Sequence, residues 1–421
     1  MEGRAYFGGK LQPICIGIAN GKIARIRKVL KGERHLDFND RIILPTAIDV
    51  HTHMREPGMT KKEDFSTGTI SAAFGGVTCI FDMPNTLPPT VLKEDALEKK
   101  VLASQKSWVD FGIFGGCRGS SNPARTVNEV VGFKIFMSST TGSVLLAEDR
   151  DIKRILDLIK GTKKVVSVHA EDDHLIGRKE EASLRDHETN RPIAAEVSAI
   201  ERLTKLSGGT KINVCHITST AGLEMAAKGT FTCEATPHHL LLDISNMKGR
   251  KAYAKVNPPL RKKEERDALF QAFAQGKVDM LASDHAPHTI EDKEQEFSSA
   301  PSGCPGVETS FPLMMALVKR NALALPTLIR AACERPAEIF GLNKGKIEEG
   351  RDADLMVLDP RNIAPINGNR LHSKCCWTLY EGYEAIFPEA VFLRGAQLIE
   401  DGALVGERMG RDVVVRPRAP G

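Results

Sequence analysis

No apolar run in the 421 residues approaches the roughly 20 needed to span a bilayer, which argues against a transmembrane helix. The opening MEGRAYFGGK also lacks the long apolar core of a secretory signal. Lysine and arginine number 58 against 54 aspartate and glutamate, a formal net charge of +4 without long single-sign blocks, so nothing electrostatic points to nucleic acid. Small neutral or anionic substrates stay open. No solenoid-period repeat or low-complexity tract interrupts the chain, although the tail VVVRPRAPG reads as frayed. The nine cysteines are scattered apart from adjacent Cys375 and Cys376, and no CxxC pair occurs. Neither a disulfide framework nor a thiolate zinc knuckle is expected, and the cysteines are left outside the chemistry. A protein of the reducing cytoplasm fits best.

What the sequence does have is 41% hydrophobic residues arranged in short β-branched runs, and twelve histidines, several of them at the ends of those runs. In order the runs are RIILPTAIDVHTH, VTCIFDM, WVDFGIFG, VGFKIFM, KVVSVHAE, TKINVCH, GTFTCEA and KVDMLASDH. Between most of them lie helical patterns such as KEDFSTGTISAAF, RDIKRILDLIK and KKEERDALFQAFAQ. Eight strands alternating with helices predict an α/β fold, a TIM-type (β/α)8 barrel over residues 47–345. The flanks, residues 1–46 and 346–421, are short strands with Gly and Asp turns. They are expected to meet in one small composite β-sandwich domain built from both termini.

The first barrel strand ends in Asp49-Val50-His51-Thr52-His53. Residues two apart on a strand share a face, so His51 and His53 can aim two imidazoles at one metal ion. Taken alone, the pair could equally be barrel histidines satisfied by backbone partners. The other candidates change the weighing: His169 ends VVSVHAE, His216 ends INVCHITS, Asp284 ends DMLASDHAPH, and Lys134 interrupts VGFKIFM. In such a barrel all strand C-termini face one rim, where these residues would converge. Imidazoles and a carboxylate suit zinc, with manganese, iron or cobalt open by the same ligand logic. A buried Lys134 ammonium beside a dication would be repelled and desolvated. It either snorkels to solvent or is carbamylated, its N-carboxylate then able to bridge two metals.

DVHTHMREPG, MPNT, GFKIFM, VHAED, CHITS, VNPPLR and SDHAPH, in this order, resemble the dihydroorotase family of cyclic amidohydrolases, which act in pyrimidine synthesis. The resemblance spans about residues 43–310, with GRDADLMVLDP also similar. It implies two Zn2+ per chain: His51, His53 and Asp284 on the first, His169 and His216 on the second, and carbamylated Lys134 bridging, all six positions being present. A hydroxide between the ions would attack the ring amide of dihydroorotate while Asp284 carries the proton to the leaving nitrogen. In reverse, protonated Asp284 would help expel water as N-carbamoyl-L-aspartate cyclises.

The resemblance assigns Arg55, Asn85 and His288 to the substrate carboxylate, a fit with the donor fork of arginine. It assigns Asn257 to the ring, and the loop APSGCPGVET implicates Ser302 and Gly303. Each has a plainer role to weigh: Arg55 in a surface ion pair, Asn85 as a turn residue, His288 at a helix start. His238 and His239 are expected to support ligands or packing, His285 to point away from Asp284, and His35, His174, His187 and His372 to lie in polar surroundings. Thr140 and Thr141 in SSTTGS suggest a lid. The alternatives are another cyclic amidohydrolase (allantoinase, or dihydropyrimidinase/hydantoinase), whose rings lack the carboxylate, and a non-catalytic scaffold for aspartate carbamoyltransferase. Homo-oligomerisation or association with that transferase is a possible partnership.

Overall fold

The structure, a computed structural model, describes residues 1–139 and 144–414, so Thr140 and Thr141 lie outside the described residues. The chain begins with four strands, β1 (Glu2–Phe7), β2 (Lys10–Ala19), β3 (Lys22–Arg27) and β4 (Asp37–Pro45). At Thr46 it passes directly from the terminal sheet into the barrel, so the single apolar run RIILPTAIDVHTH is divided between two sheets. The barrel strands are β5 (Ala47–Thr52), β6 (Val77–Asp82), β7 (Asp110–Gly116), β8 (Gly132–Phe136), β9 (Val165–His169), β10 (Ile212–Val214), β11 (Thr232–Ala235) and β12 (Met280–Leu281). They lie parallel in sequence order. A bridge between Thr52 and His285 and a hydrogen bond from His53 N to His285 O (2.8 Å) join the last turn of the barrel to the first strand. All residues of β5 to β10 are buried, as expected for strands covered on both faces, which explains their continuous apolar character.

The helices α1 (Phe65–Phe74), α2 (Lys93–Lys106), α3 (Asp149–Ile159), α4 (Leu184–Asn190), α5 (Ile193–Leu206), α6 (Thr220–Lys228), α7 (Pro237–Leu241), α8 (Lys263–Ala274), α9 (Ile290–Lys293) and α10 (Ser310–Lys319) fall between and after these strands. In α3 the buried residues Ile152, Ile155, Leu156 and Ile159 follow the helical repeat and form its inner stripe. Side chains of Asp64, Ser219, Thr236 and Thr289 accept the first free backbone N–H groups of α1, α6, α7 and α9, fixing where those helices start.

After the barrel the chain returns to the terminal sheet through β13 (Leu355–Leu358), which pairs with β4. It leaves again over residues 359–388, making the small ladder of β14 (Ala364–Pro365) and β15 (Glu384–Ala385). It then completes the sheet with β16 (Ala390–Leu393), β17 (Ala396–Glu400) and β18 (Ala403–Leu404). The eight-stranded order β18-β17-β16-β13-β4-β1-β2-β3 unites both termini. The sheet encloses its own core, in which Ile16 and Ile23 meet Phe392. The excursion packs back on the barrel: Trp377 Nε1 donates to His288 O at 2.8 Å and Lys374 Nζ pairs with Asp64 at 2.5 Å. Within the excursion Trp377, Leu379 and Tyr380 are buried, although they follow no strand or helix period.

Candidate metal centre

The strand ends place the candidates as the barrel topology requires. His51 lies in β5 and His53 just beyond it, Asn85 follows β6, Lys134 is central in β8, and His169 closes β9. His216 follows β10 and Asp284 follows β12. All of these are buried. With Arg55, Asn257, Ser302 and Gly303, all of them except Lys134 line one small cavity, which Phe136 and Ala286 also wall. His288 stands behind Arg55, and Lys134 reaches His51 from the barrel interior.

The hydrogen bonds orient the imidazoles. Glu234, at the end of β11, accepts from His51 Nδ1, and Asn85 Oδ1 accepts from His53 Nδ1 at 2.7 Å. Both Nε2 lone pairs then face the Asp284 carboxylate, at 3.4 Å from His51 and 3.0 Å from His53. Glu171 accepts from His169 Nε2 at 2.7 Å, which turns the Nδ1 lone pair of His169 towards His216 Nε2, 3.0 Å away. Lone pairs facing one another or a carboxylate at such distances repel unless a proton or a cation lies between them. Outward nitrogens held by acceptors and inward nitrogens converging is the arrangement that metal-binding histidines use. His51, His216 and Asp284 offer ligand atoms within 4.8 Å of one another, and so do His51, Cys215 and Glu234. The donor set therefore fits a divalent metal.

The electrostatics agree. Burial and the Lys134 charge oppose a proton on His51, yet Asp284 and Glu234 outweigh them and raise it to about 10. Burial drives His53 down to about 3 against the pull of Asp284, and also lowers His169 and His216. Asp284 is held well below the usual carboxylate range: burial opposes this, but His51, His53 and His216 outweigh it. The pocket thus offers neutral imidazoles at His53, His169 and His216 and an ionised Asp284, and the proton that Asp284 and Glu234 hold on His51 marks a demand for positive charge that a metal ion would also meet. Lys134 Nζ lies 2.8 Å from Cys215 Sγ and 3.4 Å from His51 Nε2. It does not snorkel, being fully buried, and among the described residues no carboxylate is within ion-pairing distance.

Arg55 is buried at the cavity wall rather than in a surface ion pair. Its Nε donates to Pro287 O at 3.1 Å. Lys62 Nζ donates to His288 Nδ1 (3.0 Å), which puts the ring proton on Nε2, where it is donated to Ser302 O (3.0 Å). That tautomer has no lone pair for Arg55 Nη2, 3.1 Å away. Asn257 Oδ1 accepts from His187 Nε2 at 2.9 Å. Gly303 sits at φ +135, and a Cβ there would lie 2.6 Å from Ala286 O. Its N–H is donated to Lys255 O (2.9 Å) and its carbonyl accepts from Lys293 Nζ (3.0 Å).

Four supporting residues were not singled out from the sequence. Cys215, expected to stand outside the chemistry, touches the Lys134 amine; its signal was its place beside His216 at a strand end. Glu234 interrupts an apolar strand, as Lys134 does. Glu171 and Arg191 form a buried pair (2.7 Å) behind His169, and only the tertiary fold brings them together. His238 and His239 are buried beside the cavity, and His239 is held by Thr236 and Pro258.

The model of the amidohydrolase family matches residues 42–384, most of the chain. The chain belongs to the amidohydrolase family. Among curated relatives of this amidohydrolase, the protein named dihydroorotase of Methanosarcina acetivorans is 40% identical over 419 residues, covering 93% of this chain and 90% of its own. The dihydroorotase of Thermoplasma acidophilum is 38% identical, covering 97% and 96%. The solved L-hydantoinase (dihydropyrimidinase) from Arthrobacter aurescens superposes with a TM-score of 0.92 at 28% identity, covering 98% of both chains. No helix among the described residues is long and apolar enough to cross a membrane.

Proposed function

We propose that this amidohydrolase is a dihydroorotase, interconverting N-carbamoyl-L-aspartate and (S)-dihydroorotate in pyrimidine (UMP) synthesis. The observation that carries it is Arg55. A guanidinium buried in the wall of a small cavity, with no carboxylate in ion-pairing distance among the described residues, is costly unless an anion completes it. A substrate carboxylate supplies that anion and uses the donor fork of arginine. Kinship with proteins named dihydroorotase supports the same choice. The solved hydantoinases favour a second reading, a dihydropyrimidine or hydantoin ring, but those rings bring no carboxylate to Arg55.

In this proposal His51, His53 and Asp284 would hold one Zn2+, His169 and His216 would hold the other, and Lys134, carbamylated at Nζ, would serve both. The ions would activate water and polarise the ring carbonyl. Carbamylation makes the buried Lys134 amine an anion and so removes its mismatch with a metal pair. Arg55 and Asn85 orient the substrate carboxylate, with His288 backing Arg55 from behind the cavity wall, and Asn257 with the Ser302–Gly303 backbone frames the ring. Asp284 takes the proton of the attacking water on its carboxylate and delivers it to the ring nitrogen as the amide opens. In cyclisation the same carboxyl returns it, as microscopic reversibility demands.

The test is Arg55→Met assayed with dihydroorotate. Loss of a charge-assisted pair predicts a fall in kcat/KM of about 100-fold or more with metal content unchanged. A variant within threefold of the wild type would remove the basis for a carboxylate-bearing substrate.

A further inference from the structure

Two loops frame the ring in the proposed function: residues 255–258, with Asn257, and residues 301–303, with Ser302 and Gly303. Neither is part of a strand or helix, so something other than a backbone ladder must fix their separation. Lys293, the last residue of α9, lies between them and is 1% exposed. Its ammonium donates to Pro301 O at 2.8 Å, to Gly303 O at 3.0 Å and to Lys255 O at 3.3 Å. Three donors meet three backbone acceptors, two on one loop and one on the other. The Gly303 N–H to Lys255 O hydrogen bond (2.9 Å) runs alongside.

The cost of this arrangement shows that the charge is not incidental. Among the described residues no carboxylate lies within ion-pairing distance of Lys293, and the Trp377 ring, 5.8 Å from Nζ, is its remaining counterpart. Burial pulls the ammonium down to about 7, with Lys255 and Arg55 adding to the effect and Cys304 and Asp292 opposing it. An apolar residue of similar length would fill the space without that penalty, but it could not hold three carbonyls.

We infer that Lys293 is a positioning residue, whose ammonium staples the 301–303 loop to the 255–258 loop and so sets the wall against which the substrate ring is bound. This rests on the proposed function only for the identity of the ring. Gly303 donates its N–H to Lys255 O and accepts from Lys293 on its carbonyl, so both of its backbone groups hold the wall in place. The staple acts on binding rather than on proton transfer, since Lys293 is not among the residues lining the cavity.

The test combines steady-state kinetics with hydrogen exchange on Lys293→Met and Lys293→Gln. Lys293→Met is expected to raise KM at least about tenfold with kcat within about threefold, the pattern of a lost binding contribution. It should also speed exchange of the Gly303 amide and of the 297–305 segment while leaving α1 and α3 protected. Lys293→Gln retains two donors and should fall between it and the wild type; if Lys293→Met does not fold, the glutamine variant decides alone. A KM within twofold of the wild type, or unchanged exchange over 297–305, would overturn the staple. Should the wild type open dihydrouracil and not dihydroorotate, the substrate assignment fails. The staple is then judged by the same KM and exchange criteria with dihydrouracil.

Discussion

In the proposed function Asp284 has two tasks for one carboxylate: to hold a cation beside His51 and His53, and to carry a proton. Both require it to stay ionised in a buried place, and the three imidazoles around it keep it so. Asp284→Asn removes the proton acceptor and weakens metal binding. The expected result is a loss of kcat of about 10³-fold or more, with metal content reduced and the melting temperature little changed. Turnover within tenfold of the wild type would refute the role. The backbone at this scale was not legible in the sequence. Asp284 (φ 45), His216 (φ 35) and Arg55 (φ 59) all occupy the left-handed region, which costs a non-glycine residue on the order of 1 kcal/mol. His216 and Asp284 just outrun the regular part of their strands, and the turn that aims each side chain inward is set by the rim rather than by residue type.

Element by element, what could be read depended on whether partners were local. The barrel strands were legible because strands buried on both faces need unbroken apolar runs, and a His, Lys or Asp at the end of such a run stands out. Helix α3 was legible from its isoleucine and leucine stripe. The pairing of α4 with the 255–258 loop was not, since it rests on His187 meeting Glu181, Val256 O and Asn257 across 69 and 70 residues of chain. His187, expected in polar surroundings, is buried there and ties α4 to a proposed ring contact. The link has a pH signature. Partial burial opposes ionisation of Glu181, but hydrogen bonds from His187 and Asn190, with the charges of His187 and Lys255, bring it down to about 2. A carboxyl depressed in the folded state stabilises fully above its unfolded value near 4.5 and loses that contribution as pH falls towards 2. Thermal melts should therefore show Glu181→Gln less stable than the wild type at pH 6, with the gap closing by about pH 2–3. A gap independent of pH would contradict this account of α4.

For the whole molecule, the barrel and the terminal sheet are joined at the end opposite the metal centre. Lys344 is buried between Asp110 at the start of β7 (2.7 Å) and Asp354 just before β13 (2.5 Å). Arg394, in the turn after β16, binds Asp110 and donates its backbone N–H to Asp354 at 2.7 Å. Burial opposes the Lys344 charge, but Asp354 and Asp110 outweigh it and raise the ammonium above its ordinary range. Lys344→Met would leave two buried carboxylates without that cation, a cost of about 3–5 kcal/mol. Lower stability in denaturant melts is expected, with kcat/KM for the folded enzyme within twofold, and a large change in KM would show that the latch reaches the cavity. The union of the termini was legible from their matching strand-and-turn patterns. The 359–388 excursion was not, because its aromatic residues find their partners on the barrel rim.

The central claim is that a metal-loaded cavity with Arg55 in its wall selects a ring bearing a carboxylate. The measurement that tests it most directly is kcat/KM for (S)-dihydroorotate, dihydrouracil and allantoin on one zinc-replete preparation, before and after metal removal by a chelator. The account predicts a preference for dihydroorotate of about 100-fold or more, abolished by chelation and restored by Zn2+. Equal or better turnover of either uncharged ring, or dihydroorotate activity that survives complete metal removal, would contradict it.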